Sequence, residues 1–399
     1  MDVTDTEKWF GTVLSSALEC SYYQEILKGL NISKIDDIPL LNKDVLRKSP
    51  EKLLNPLFQN KKLVHDFTSG STGIPIKCYK DTSEYTQLGL ILHSARLKHF
   101  PKISYSRMIE FTPIDMPICF EEKNGVQRLI LSTCFHKPEV LTFYLREIVK
   151  FNPTFIQGFP SILTSLAEHA QKVNFSVYLP DLTCLETRAE PLNSRQKQLI
   201  EKVFQHPASN HYGSKELYTM AYMCKQDHLH ILEDSTYVEV LNSNGGPCVP
   251  GEYGEIVVTS KIIHSMPLIR YRIGDYGTIN RNPCNCGDKS RTILLIGRSN
   301  DSLKTKNGEM NRSVLSLIWE LMLPVKQIVQ AQLIQVSLEH LHIKYTGESI
   351  GNHEVFSSIG KLLRKFLQYD VVITNEYCDY IFPDEKTGKI RNFVPLTLN

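Results

Sequence analysis

Apolar and polar positions alternate in several distinct ways along this chain, and each way predicts a different element. The first sixty residues interleave apolar and charged side chains and are broken by Pro39, Pro50 and Pro56, a pattern of short helices wrapped on something larger. Val64 to Phe67 predicts a brief strand. From Ser83 the spacing turns helical, with Tyr85, Leu88, Leu92 and Ala95 or Arg96 on one stripe. Leu141 to Val149 and Ser161 to Ala170 predict two more helices, and Phe155-Ile156-Gln157-Gly158 between them a buried strand ending in glycine. Apolar strands alternating with amphipathic helices predict α/β layers.

The pattern then changes. Asn244-Gly245-Gly246 is a turn signal between the strand-like runs Val238-Glu239-Val240-Leu241 and Glu255-Ile256-Val257-Val258-Thr259, so residues 237–296 read as β-rich. Beyond them a helix near 311–322 precedes strand-like segments from Ile328 to Val336 and from His340 to Tyr345. Val355, Ile359, Leu362, Leu363 and Phe366 define one helix face, and Val371-Val372-Ile373 a last strand. The reading is a large N-terminal α/β domain with a β-rich subdomain, residues 1–299, and a small C-terminal α+β domain, residues 300–399.

Composition narrows this without redirecting it. A length of 399 residues exceeds one ordinary core, and 42% hydrophobic with 22% charged residues is globular usage. Forty-five basic against 43 acidic side chains leave a net charge of +2, no basis for nucleic-acid or membrane-surface binding. The charged start, the lack of an apolar run long enough to span a bilayer and the ten mostly scattered cysteines predict a cytoplasmic protein with reduced thiols.

The strongest local signal is Thr68-Ser69-Gly70-Ser71-Thr72-Gly73-Ile74-Pro75-Ile76-Lys77. Hydroxyls and glycines let backbone approach an anion and donate to it, and Lys77 adds a mobile charge. It is not the Walker pattern, which needs Gly-Lys-Ser/Thr at a helix start. A flexible polar turn would have the same composition.

At this loop the sequence resembles the adenylate-forming superfamily of acyl-CoA ligases, adenylation domains and luciferases. The resemblance recurs in order at Ala189-Glu190-Pro191, Tyr212-Gly213-Ser214-Lys215-Glu216, Tyr271-Arg272-Ile273-Gly274-Asp275, Gly297-Arg298 through Lys304 and Gly308, and Thr387-Gly388-Lys389. Gly158-Phe159-Pro160-Ser161, Cys224 to Asp234 and Cys284-Asn285-Cys286-Gly287 narrow it to the phenylacetate–CoA ligase, coenzyme F390 synthetase and CapK-like group.

The resemblance implies a carboxylate-activating ligase that uses ATP and Mg²⁺ to make an acyl-adenylate, then passes the acyl group to CoA or a carrier-protein phosphopantetheine. Transfer to an amine, or nucleotide binding without catalysis, are the alternatives. It places the 68–77 loop on the leaving pyrophosphate and Ala189, Glu190 and Pro191 against adenine. Tyr212 offers a face to adenine, Gly213 and Ser214 lie toward the α-phosphate, and Asp275 accepts from the ribose hydroxyls. Glu216 helps hold Mg²⁺, Arg298 is a fixed cation, and Lys389 is the catalytic lysine. A mobile C-terminal domain would hinge just past Arg298, where Asn300 replaces the usual charged residue, and would bring Lys304 and Gly308 in for the second step. Taken singly, Lys389 and Asp275 read equally as solvated turn residues, Glu216 as a helix-opening residue and Tyr212 as a core aromatic. Phe111, Phe159 and Pro160 are candidates for the acid pocket or for plain core.

Cys224, His228, His230, Cys284 and Cys286 form a second constellation. Three thiolates and one imidazole suit a tetrahedral structural zinc site; buried thiols beside surface histidines are the other reading. The family resemblance favours His230 over His228, giving Cys224, His230, Cys284 and Cys286.

Overall fold

The computed structural model describes residues 3–67, 76–280, 282–298, 302–306, 308–310, 313–384 and 387–396. By packing, the chain divides into two compact units: Met1–Pro101 with His211–Ile296, and Lys102–Asn210 with Gly297–Asn399. The expected domain boundary at 299/300 lies outside the described residues.

In the first unit, short helices at Val3–Leu18, Ser21–Ile26 and Lys43–Lys48 share one core with β-strands, through residues such as Val13, Tyr23, Leu41, Val258 and Tyr271. The strands run in the order Thr236–Leu241, Gly254–Ser260, Tyr271–Asn280, Thr292–Arg298, Leu229–Ile231, Tyr218–Met223 and Ala208–Ser214. Neighbouring hairpins pair antiparallel, as between Val238 and Val258. The expected helix from Ser83 is Thr82–His99, burying Leu88, Leu92 and Ala95. Tyr85 is exposed instead, and Glu84 is buried because its carboxylate accepts the His264 and Ser265 N–H groups at 2.7 and 2.8 Å. The strand Leu63–Phe67 pairs antiparallel with Lys77–Asp81, opposing Phe67 to Lys77.

The second unit contains two cores. Around the first, Arg107–Thr112 lies between the parallel strands Val126–Ser132 and Phe155–Gly158, with Cys184–Arg188 beyond and Ile118–Lys123 antiparallel at the edge. The helices Pro138–Phe151 and Pro160–Lys172 cover one face through Leu141, Leu145, Ile148, Ile162 and Leu166. Each begins with a proline, whose fixed φ suits that position.

The second core belongs to the C-terminal α+β subdomain. Its four strands run in the order Val372–Tyr377, His340–Gly347, Ile328–Ser337 and Phe393–Val394, packed with the helices Ser313–Met322 and Glu354–Leu367. The latter helix buries Val355, Phe356, Ile359, Leu363 and Leu367. Its buried face is rotated from the expected one, leaving Phe366 exposed. No helix among the described residues is long and apolar enough to cross a membrane.

Candidate functional site

The first unit gathers the Tyr-Gly-Ser-Lys-Glu and Tyr-Arg-Ile-Gly-Asp segments. Tyr212 Oη donates to Asp275 Oδ2 at 2.7 Å, and Tyr271 Oη donates to Glu216 Oε1 at 3.0 Å. Glu216 is buried. Burial, reinforced by the Glu216 charge, pushes the Tyr271 hydroxyl far above its usual range, which keeps it a donor. Gly213 sits at a bulge where any Cβ would meet Tyr218 O at 2.6 Å and Thr219 Cα at 3.1 Å, so no other residue fits. Ser214 Oγ accepts the Leu217 N–H at 3.1 Å, closing the turn that presents Glu216. Below it Lys80, almost wholly buried, reaches Asp66 at 3.3 Å and the Lys215 carbonyl at 2.5 Å. That joins the hairpin carrying the Gly/Ser/Thr loop to the Glu216 turn. Lys77 opens the hairpin's second strand, its Nζ 4.9 Å from the Tyr79 ring centre. Thr68, Ser69, Gly70, Ser71, Thr72 and Gly73 lie outside the described residues.

In the second unit Lys389 stands on a turn closed by Asp384. The Asp384 N–H donates to the Lys389 carbonyl at 2.9 Å and the Gly388 N–H to the Asp384 carbonyl at 2.8 Å. Asp384 Oδ1 also accepts from Thr387 N and Oγ1, each at 2.9 Å. Lys389 Nζ lies 5.5 Å from the ring centre of Phe159. Phe111 and Phe159 are both core residues, but Phe159 also carries the lysine on its face. Ala189, with φ of 68°, turns the chain after the strand Cys184–Arg188. Glu190 follows and Pro191 is exposed. The Glu190 side chain accepts from Ser161 N and Oγ at 3.0 Å each and from Ile390 N at 3.1 Å. Glu190 as a residue is half-buried, but its carboxylate is enclosed by protein. Desolvation raises its pKa against the pull of the Ser161 hydrogen bonds and the Lys389 charge. The sequence reading missed Ser161, Thr133 and Ile390 as site neighbours. Of these only Ser161, inside Gly158-Phe159-Pro160-Ser161, carried a local signal. Arg298 ends the strand Thr292–Arg298, and its side chain is outside the described residues. Lys304 lies on the hairpin Leu303–Thr305 with Gly308–Met310, its backbone fixed by Gln335 at 3.0 and 2.7 Å.

The cysteine–histidine constellation converges within the first unit. One donor atom each of Cys224, His230, Cys284 and Cys286 lies within 4.8 Å of the others. Cys224 Sγ is 3.8 Å from Cys284 Sγ, and Cys286 Sγ is 3.3 Å from His230 Nε2. His230 Nδ1 faces Ser290 O at 3.2 Å and Ser290 Oγ at 3.1 Å, which leaves Nε2 toward the thiols. His228 Nδ1 is 3.2 Å from Cys284 Sγ but is more exposed. Burial pushes the Cys224 thiol up to about 11. Against that same cost, hydrogen bonds from His228, the Cys286 backbone and His230 bring Cys284 down to about 6. Three sulfurs and one imidazole nitrogen at this spacing fit tetrahedral Zn²⁺.

The fold is that of the adenylate-forming enzymes. The crystal structure of 2-hydroxyisobutyryl-CoA ligase in its postadenylation state with 2-HIB-AMP aligns with a TM-score of 0.72, at 14% identity, over 99% of this chain and 90% of that one. The AMP-binding enzyme family matches residues 31–266, and the chain belongs to that family. Among its relatives, protein CapK of Staphylococcus aureus is 24% identical over 388 residues, 93% of this chain and 84% of CapK. Phenylacetate-coenzyme A ligase of Thermus thermophilus is 29% identical over 162 residues, 39% of this chain and 36% of that enzyme.

Proposed function

We propose that this chain activates a carboxylic acid with ATP and transfers the acyl group to a thiol, either CoA or the phosphopantetheine of an acyl carrier protein. In the first step a carboxylate oxygen attacks the α-phosphorus, and pyrophosphate leaves. In the second, the thiol sulfur attacks the acyl carbon, AMP leaves and the thiol proton is released. The observation that carries this reading is the Lys389 turn seated against Glu190 with its cation over Phe159. Negative charge gathers on both reactants of the first step, and a lysine positioned there lowers the barrier by offsetting it.

The remaining roles follow from chemistry. Asp275, oriented by Tyr212, accepts from the ribose hydroxyls. Ser214 contacts the α-phosphate, and the 68–77 segment holds the pyrophosphate. Glu216 is the carboxylate that would hold Mg²⁺, which neutralises phosphate charge when bound. Arg298 supplies a fixed cation. Rotation of the C-terminal subdomain, with Lys304 and Gly308 brought in, would serve the second step; the subdomain's separate core supports this. A structural Zn²⁺ on Cys224, His230, Cys284 and Cys286 is part of the proposal, supported by the convergence of the four donors. A reducing cytoplasm is part of the proposal, on the ten mostly scattered cysteines of the sequence.

Acid-dependent pyrophosphate exchange across a panel of carboxylic acids tests the first step. Product formation with CoA, a phosphopantetheinylated carrier or a primary amine tests the second. Exchange with no acid tried would reject the reading, and turnover only with the amine would replace the thiol acceptor by an amide-forming one.

A further inference from the structure

We infer that Glu190 is a positioning residue for the lysine turn: its carboxylate holds the backbone just after Lys389 and so sets where the cation stands during adenylation. This rests on the role of Lys389 proposed above.

The Lys389 turn is rigid in itself, because Asp384 ties both its backbone and Thr387. A rigid turn needs few contacts to be placed, and among the described residues its backbone meets two, one at either side of Lys389. At one end Ile390 N–H donates to Glu190 Oε1 at 3.1 Å. At the other, Gly388 lies so close to Thr133 that a methyl group there would overlap Thr133 Oγ1. Such a methyl would also come within 2.9 Å of the Thr133 Cβ and 3.3 Å of the Pro113 Cβ. Gly388 has φ of 62°, so glycine is favoured there twice over, by conformation and by space. Lys389 stands between these two points.

The chemistry at Glu190 calls for a carboxylate. Ser161 N donates to Oε2, while Ser161 Oγ and Ile390 N donate to Oε1. Two of the three donors are backbone N–H groups, which cannot turn around. A glutamine offers one acceptor oxygen and one NH₂. Whichever way its amide is placed, that NH₂ faces either Ser161 N–H or Ile390 N–H, and one of the two bonds is lost. The substitution keeps the shape and gives up one of the two backbone bonds, whereas alanine gives up both.

The test is Glu190→Ala, with Glu190→Gln as the milder variant, assayed in each half-reaction beside Lys389→Ala. Acid-dependent pyrophosphate release is expected to fall ~10–100-fold, the range for losing a hydrogen bond to a charged group. The effect should fall on kcat rather than on KM for ATP. Single-turnover consumption of synthetic acyl-adenylate with thiol should stay within about two-fold of wild type, since the turn's placement serves only the first step. A structural defect would lower both. Normal pyrophosphate release in Glu190→Ala while Lys389→Ala is inactive overturns the positioning role alone. Normal release in Lys389→Ala overturns the reading beneath it. If Glu190→Ala is shown by melting to be unfolded, Glu190→Asp, which keeps the charge but draws the carboxylate back from the Ile390 N–H, decides. Selective loss of adenylation supports the positioning role, and unchanged adenylation overturns it.

Discussion

The cysteine–histidine cluster of the first unit and the lysine turn of the second are built alike and held differently. Each joins two short segments far apart in sequence. In the cluster, the donors at 224–230 and 284–286 face one another, and Ser290 covers the remaining imidazole nitrogen. A metal would close that set completely. The lysine turn meets its surroundings through a backbone hydrogen bond to Glu190, a close contact at Gly388 and the Lys389 cation over Phe159. A bound metal would contribute folding free energy and hold its segments shut, whereas contacts of ~1 kcal/mol each could be released, as the proposed function asks of the lysine turn.

Removing the metal should have the largest effect. Apparent zinc-binding free energies of ~10–16 kcal/mol in small zinc domains set the upper scale. Protein purified without chelators is expected to carry one zinc per chain by elemental analysis. Cys284→Ser should lose it and melt at lower temperature. Equal melting with and without chelator would make the two regions alike after all.

Lys389→Ala comes next. Loss of a preorganised charge typically costs ~10²–10³ in rate, and acid-dependent pyrophosphate release should show it. Consumption of pre-made acyl-adenylate should survive.

A third test asks how firmly the C-terminal subdomain is held. Glu168, on the helix Pro160–Lys172, is half-buried with one carboxyl oxygen enclosed, and desolvation raises its pKa from 4.5 to about 7 against a hydrogen bond with Thr346 of the subdomain. The folded state binds this proton more tightly than the unfolded chain does. Stability from this group is therefore lost as pH rises from about 4.5 through 7, by about 3 kcal/mol in all. Glu168→Gln should flatten that slope and raise the melting temperature at pH 8. An unchanged pH profile would mean that Glu168 does not limit the packing of the second unit.

The smallest effect is expected at Asp275→Asn. Tyr212 already holds the side chain, so the fold should persist. KM for ATP should rise ~10-fold as ribose hydrogen bonds to a charged acceptor are lost.

Much of this was legible in the sequence, for identifiable reasons. Cysteine and histidine are uncommon enough that two clusters stand out, and the set with His230 converges as the family resemblance implied. Helix periodicity placed Thr82–His99 through the stripe of Leu88, Leu92 and Ala95, and the helix Pro160–Lys172 was found as well although it is buried on almost every side. Glu84 was not legible as a buried residue, since its partners, the His264 and Ser265 N–H groups, are distant in sequence. The same holds for Glu190. Its motif pointed toward adenine, but nothing local announces that its carboxylate receives Ser161 and Ile390. The seat of Gly388 on Thr133 is invisible for the same reason, as tertiary proximity leaves no periodic trace. Compact units assembled from discontinuous stretches, such as Lys102–Asn210 with Gly297–Asn399, are likewise beyond a reading that moves along the chain.

The Ser161 bonds to Glu190 also bear on the helix Pro160–Lys172 itself. The residue preceding that helix, Phe159, has no side chain able to cap it. Glu190 takes over the task from another strand, satisfying an orphan N–H of the first turn and lying at the positive end of the helix macrodipole. The macrodipole favours the ionised carboxylate that burial would otherwise discourage. One carboxylate thus caps a helix and grips the Lys389 turn.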